Sequence, residues 1–313
     1  MAKEIHVNEL VGYTITTGAV LNDDYLIIIL SNDARLEKDS EDNHSFVGIK
    51  KQNTWRIAES GYPISSQATI TVPEPAIISI SAVGIVRKST PKGGNDEENV
   101  GVFSGNRIQG RTRLREVRAI SGLAYTVGSR RSVYKRDTVD KWSCIDKDCY
   151  APENFQVGFD SIHGFSPTEI YAAGENGEIW QYNGESWKQR ETGTNAWLNK
   201  IVCAENGFVY AVGEKGTILK GRNDKWALIE EVSSGHEFWS IESYKGRLFL
   251  TADTISLYEL LPNGELKLVN FGDCPPPTTA YHLTTGGGCL YCFGFKDIRK
   301  FDGFVWTEVL TLY

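Results

Sequence analysis

The sequence predicts an all-β fold, a single seven-bladed β-propeller built from four-stranded antiparallel blades. Three observations carry this reading. A short apolar segment ending in a small residue recurs about every forty residues, a tryptophan follows most copies at a near-constant distance, and no segment sustains the 3.6-residue apolar period of a helix.

The best copies are Tyr125-Thr126-Val127-Gly128, Tyr171-Ala172-Ala173-Gly174, Tyr210-Ala211-Val212-Gly213 and Tyr291-Cys292-Phe293-Gly294. Ser81-Ala82-Val83-Gly84 and Phe249-Leu250-Thr251-Ala252 are weaker ones. Taken from the last residue of each, the spacings are 44, 46, 39, 39 and 42 residues. Trp142, Trp187, Trp226 and Trp306 follow 12 to 14 residues after the glycine. The apolar run Ile27 to Leu30, followed by Trp55, marks one further unit at the N-terminus. Seven units result, over 13–58, 63–112, 115–146, 156–190, 197–231, 238–269 and 279–309, within one domain covering 1–313. Residues 4–7 are expected to add a strand at an edge.

Unit four shows the internal plan. Asp160 to His163, Glu169 to Ala173, Glu178 to Tyr182 and Ser186 to Arg190 read as strands. Ser166-Pro167-Thr168, Glu175-Asn176-Gly177 and Asn183-Gly184-Glu185 separate them as turns, and Asn-Gly between short strands is a hairpin signal. No unit of this length buries its apolar face alone. Radial packing against neighbours does so, with the tryptophans expected to wedge between blades.

The unit Tyr-Ala-Val-Gly-x-x-Gly-x-Ile, with a later Gly or Asp and then Trp, resembles the BNR or Asp-box-like repeats of sialidase-like proteins and photosystem assembly factors. The resemblance covers about residues 115 to 313. Only the end of the Asp box is present, as Asn183-Gly184-Glu185-Ser186-Trp187 and Asp302-Gly303-Phe304-Val305-Trp306. It implies an architecture, not a chemistry, so function must be argued from a site.

The composition is that of a soluble globular protein, with 41% hydrophobic and 23% charged residues. The longest apolar run, Leu26 to Leu30, is too short to span a bilayer. The first ten residues hold no apolar signal segment, which leads us to expect a cytoplasmic protein, monomeric when free. The net charge of −7 argues against nucleic acid as a partner. Cysteines 144, 149, 203, 274, 289 and 292 are then expected to be reduced. Cys289 and Cys292 spell CxxC, but no second pair exists and strand alternation points them to opposite faces, so neither metal nor cofactor is expected.

Candidate functional residues fall mainly on one rim. Loops after the second and fourth strands leave a blade at the same end. The rim so assigned, with 31–44 and 87–99 as insertions, holds 19 acidic and 10 basic residues. Asp33, Glu37, Asp39, Glu41 and Asp42 form its first acidic segment, and Asp96, Glu97 and Glu98 its second. Insertions on a rigid scaffold are where binding specificity concentrates, and 87–99, without an apolar residue, is expected to be mobile. Tyr62, Tyr150, Phe155, Trp197, Phe238 and Phe271 are candidate aromatic anchors for a partner. Trp197 and Phe238 equally suit the start of an innermost strand.

Arg107, Arg111, Arg113, Arg115 and Arg118 cluster in one run; Arg111, Arg113 and Arg115 have period two and read as one face of a solvated edge strand, the alternative being an anion-contacting patch. His163 and His282 fall in innermost strands and are expected near the channel. No HExxH, GxSxG or P-loop pattern selects a catalytic group. The leading expectation is therefore a non-enzymatic binding propeller with a basic protein partner. Bacterial immunity proteins that neutralise toxins resemble it in charge and size. A sialidase-like glycosidase or glycan-binding lectin acting at the channel mouth, and an assembly factor, are the alternatives.

Overall fold

The computed structural model describes residues 2–39, 44–93, 95–100, 113–154, 156–229 and 235–313, with backbone only at 95 and 96. It is a seven-bladed propeller, 57% strand and 5% helix. Six blades have four strands, and blade one has five. The innermost strands, taken around the channel, are Tyr13–Asn22, Ile64–Ile70, Leu114–Ile120, Phe159–Ser166, Leu198–Cys203, Phe238–Tyr244 and His282–Gly286. The expected edge strand is present: Lys3–Ile5 pairs with Trp55 to Ile57 on the outside of blade one. Among the described residues no helix is long and apolar enough to cross a membrane.

The core is a set of seams between blades rather than one central cluster. Trp142, Trp187 and Trp306 are buried at 2%, 5% and 7% exposure, each wedged into the seam with the preceding blade. Trp187 shows how the wedge is fixed. Its ring packs on Phe159 and Tyr182, and its indole Nε1–H donates to the Ile145 carbonyl of blade three at 2.7 Å. A buried indole needs such an acceptor, which the preceding blade supplies here.

The ring closes between blades one and seven by packing. Ile15, Leu26 and Trp55 share a cluster with Tyr291, Phe293 and Leu310. Cys289 belongs to this seam and Cys292 to the seam between blades six and seven, so the two thiols do face opposite ways. None of the six cysteines is in a disulfide.

Two expectations are corrected here. Residues 87–99 are not a rim insertion. Ile85–Ser89 and Asn95–Asn99 are the third and fourth strands of blade two. The turn between them lies at the opposite end of the propeller, where Lys51 Nζ donates to the Pro91 carbonyl at 2.8 Å. The arginine-rich segment is not a solvated edge strand either. Arg115 and Arg118 lie on an innermost strand, while Arg107 and Arg111 are outside the described residues.

Candidate functional site

A β-bulge recurs at the same place in six blades. In each, a buried apolar residue near the start of the innermost strand is paired, the next residue is skipped in the register, and pairing resumes. The skipped residues are Thr16, Ser65, Arg115, Asp160, Asn199 and Trp239. In blade seven, Tyr281 occupies the equivalent place ahead of His282. A bulge turns its side chain out of the pleat, so the fold sets a ring of seven residues around one mouth of the channel.

The residues that follow the bulge tie the blades together. Ser66 Oγ accepts the Val117 N–H at 3.1 Å, Glu116 Oε2 the Ile162 N–H at 2.7 Å, Ser161 Oγ the Ile201 N–H at 3.1 Å, and Ser240 Oγ the Leu283 N–H at 3.1 Å. Each bond runs from one blade to the next and satisfies an edge N–H that strand pairing leaves open.

Below the mouth, a cavity of about 240 Å³ is lined by two ion pairs and by Glu205. Lys200 Nζ donates to Glu116 across blade four. Arg118 reaches from blade three to blade six and grips both oxygens of Glu242 at 2.8 and 2.9 Å. His163 and His282 line the same cavity. Burial, with Arg118 and Lys200 near, holds His163 well below the usual imidazole range and brings His282 down to about 3. Both rings are therefore neutral at physiological pH. Arg115 and Arg118 share one blade and are committed to carboxylates of the protein itself. Among the described residues no group of three or more His, Cys, Asp or Glu is placed to hold a metal.

The mouth itself is asymmetric. Thr16 and Ser65 are small and exposed on one side. On the other, Arg115 contacts Asp160 at 3.0 Å and Glu175 at 2.6 Å. Trp197 Nε1–H donates to Asp160 Oδ2 at 2.7 Å, and the Arg115 guanidinium sits 5.9 Å from the indole centre. Burial raises the Asp160 carboxyl to about 6, with Arg115 and the Trp197 donor pulling the other way. Trp239, Tyr281 and Phe295 continue the wall, with successive rings 5.6 Å apart.

The sequence-derived candidates divide. Trp197 is 39% exposed on the rim, as an anchor requires. Phe238 is fully buried, because it fills the apolar position ahead of the bulge, and it is removed from the list of anchors. Trp239, the next residue, is 37% exposed and was missed. Tyr62 and Tyr150 are half-buried, Tyr62 beneath the Arg87 guanidinium. Phe271 packs on Trp306, and Phe155 is outside the described residues.

Of the acids, Glu37 and Asp39 are exposed at and just beyond the short helix Asp33–Lys38. Asp33 is tied to Lys296 of blade seven and accepts from Thr14 at 2.7 Å. Glu97 is exposed, but on the outer strand of blade two. Glu98 is buried in an ion pair and is no rim residue. The Asp96 side chain, Glu41 and Asp42 are outside what is described.

No protein-family model matches the chain. The chain is 43% identical over 204 residues to Immune protein Tsi7 of Pseudomonas aeruginosa strain PAO1. That stretch covers 64% of this chain and 66% of the relative, just under two thirds of its length. Among solved structures, YCF48 from Cyanidioschyzon merolae superposes with a TM-score of 0.66 at 10% identity, covering 95% of this chain and 97% of that one. YCF48 bound to D1 peptide gives 0.63 at 15% identity, covering 96% and 94%. Catalytically inactive virginiamycin B lyase from Staphylococcus aureus with quinupristin gives 0.66 at 11% identity, covering 94% and 95%. At these identities the structural likeness speaks to the propeller fold alone, as the repeat resemblance implied.

Proposed function

We propose that this chain is an immunity protein that neutralises a toxin by binding it through the channel-mouth rim. The observation that carries the reading is the 43% identity to a protein named as an immune protein. The fold supports it: a ring of blades presents loops and bulged residues on one face, and both cations inside the channel are spent on its own carboxylates. The rim supplies exposed acids at Glu37 and Asp39, together with the exposed indoles of Trp197 and Trp239. Such a face suits a basic protein, with charges guiding encounter and aromatics providing adhesion. The proposed setting is the cytoplasm, with the protein monomeric until it meets its partner.

The test is protection. A candidate toxin domain, sought in the reading frames beside this chain's gene, is expressed in a sensitive bacterium with and without the chain. Growth restored by the chain, together with a co-purifying complex, supports the reading. Killing that proceeds unchanged when the chain is present overturns it.

A further inference from the structure

At the mouth, two carboxylates share a single cation. Arg115 Nη1 contacts both Asp160 oxygens, at 3.0 and 3.1 Å, and its Nη2 contacts Glu175 Oε1 at 2.6 Å. The trio therefore carries one net negative charge when ionised. Glu175 is only 7% exposed, yet its second oxygen, Oε2, has no hydrogen-bond partner. A buried carboxylate oxygen left unpaired is costly, and a cationic donor satisfies it best. Three cations on neighbouring elements are committed to other carboxylates. Lys200 serves Glu116, Arg118 serves Glu242 and Arg131 serves Glu178.

The groups around the trio point to the shape of the missing donor. Trp197 is pinned edge-on by its Nε1–H to Asp160, yet remains 39% exposed. Trp239 and Tyr281 stand further along the same mouth. A planar guanidinium stacks on indole and forks onto carboxylates, whereas an ammonium does neither as well.

We propose that the Arg115–Asp160–Glu175–Trp197 cluster is a receptor for one protruding arginine side chain of the partner protein. The inference rests on the toxin-binding reading only for the identity of that partner. The preference of the cluster for a guanidinium is tested without any toxin.

The experiment follows the Trp197 indole N–H by ¹H–¹⁵N NMR in the full-length protein. N-acetyl-L-argininamide is the probe, and its uncharged isostere N-acetyl-L-citrullinamide the control. A saturable shift at Trp197 with the arginine probe, absent with citrulline, is expected. Asp160→Asn and Glu175→Gln should each weaken binding several-fold, while the Trp239 resonance reports that the variants remain folded. No saturable shift, or equal shifts with both probes, overturns the proposal. If arginine binds as expected but no toxin does, the receptor stands and the immunity reading falls. If a toxin binds and arginine does not, the reverse holds.

Discussion

Glu98 and Arg136 form an ion pair sealed inside the seam between blades two and three. Their side chains are 0% and 2% exposed, Arg136 Nε donates to Glu98 at 2.9 Å, and Trp142 Nε1–H donates to the same carboxylate at 3.2 Å. The carboxylate thus joins the outer strand of one blade to the third and fourth strands of the next. Removing one partner strands the other charge without water. Glu98→Gln should lower stability by about 3–5 kcal/mol. Glu97→Gln, one residue away and exposed, should change it by no more than about 0.5 kcal/mol. Urea denaturation of both variants checks this; equal effects would show that the seam does not depend on the pair.

Closure of the ring rests on Gly18 against Phe293. A β-carbon at Gly18 would lie 2.3 Å from the Phe293 ring, which is only 1% exposed and has no room to retreat. Gly18→Ala should cost about 1–3 kcal/mol by overpacking. Combining it with Phe293→Leu should recover part of that loss, giving a favourable coupling in a double-mutant cycle. Strict additivity would contradict the contact.

Acid should weaken the fold before ordinary carboxylates titrate. Unfolded, His163 and His282 take up protons near 6.5, whereas folded they stay neutral, His282 until about 3. Their contribution is complete above about 6.5 and is lost as pH falls below it, at about 1.4 kcal/mol per pH unit per histidine. Asp160 acts in the other direction. Its folded value of about 6 adds stability as pH drops towards 3.8. Two histidines against one aspartate leave a net loss. The urea midpoint should be lower at pH 5 than at pH 7.5, and His282→Gln should narrow the gap. A midpoint that does not move between the two pH values would refute the assignment.

The propeller was legible because its repeat lies in strongly apolar second strands and in wedge tryptophans, which only inter-blade packing explains. Glu98 was misplaced because Asp96-Glu97-Glu98 has the composition of a loop. Its charge is tolerated in a strand only because Arg136, nearly forty residues later, faces it. The mouth was half legible. Trp197 stood out as an aromatic in a polar loop. Trp239 did not, although a repeated triplet of buried apolar, bulged and polar residues marks its position: Leu114-Arg115-Glu116, Phe159-Asp160-Ser161, Leu198-Asn199-Lys200 and Phe238-Trp239-Ser240. A bulge adds one residue to the alternation, so the period-two pattern that identifies strands hides it. The acidic rim was read from loop charge alone. The fold pairs Asp33 with Lys296 and Glu59 with Arg35, which leaves fewer unpaired carboxylates on the rim than a count of acids suggests.

The most direct test of the account is the association rate between this chain and the toxin it is proposed to neutralise, with Glu37 and Asp39 both reversed to lysine. Both positions are exposed, so stability should hold. If the channel-mouth rim is the binding face, association should slow several-fold and the wild-type rate should fall with added salt, while dissociation changes little. Trp197→Ala should instead speed dissociation. Rates indifferent to salt, to the reversals and to the loss of Trp197 would contradict the account. They would move the contact to another face, such as the outer groove of about 570 Å³ where Leu268, Phe304 and Val305 stand exposed.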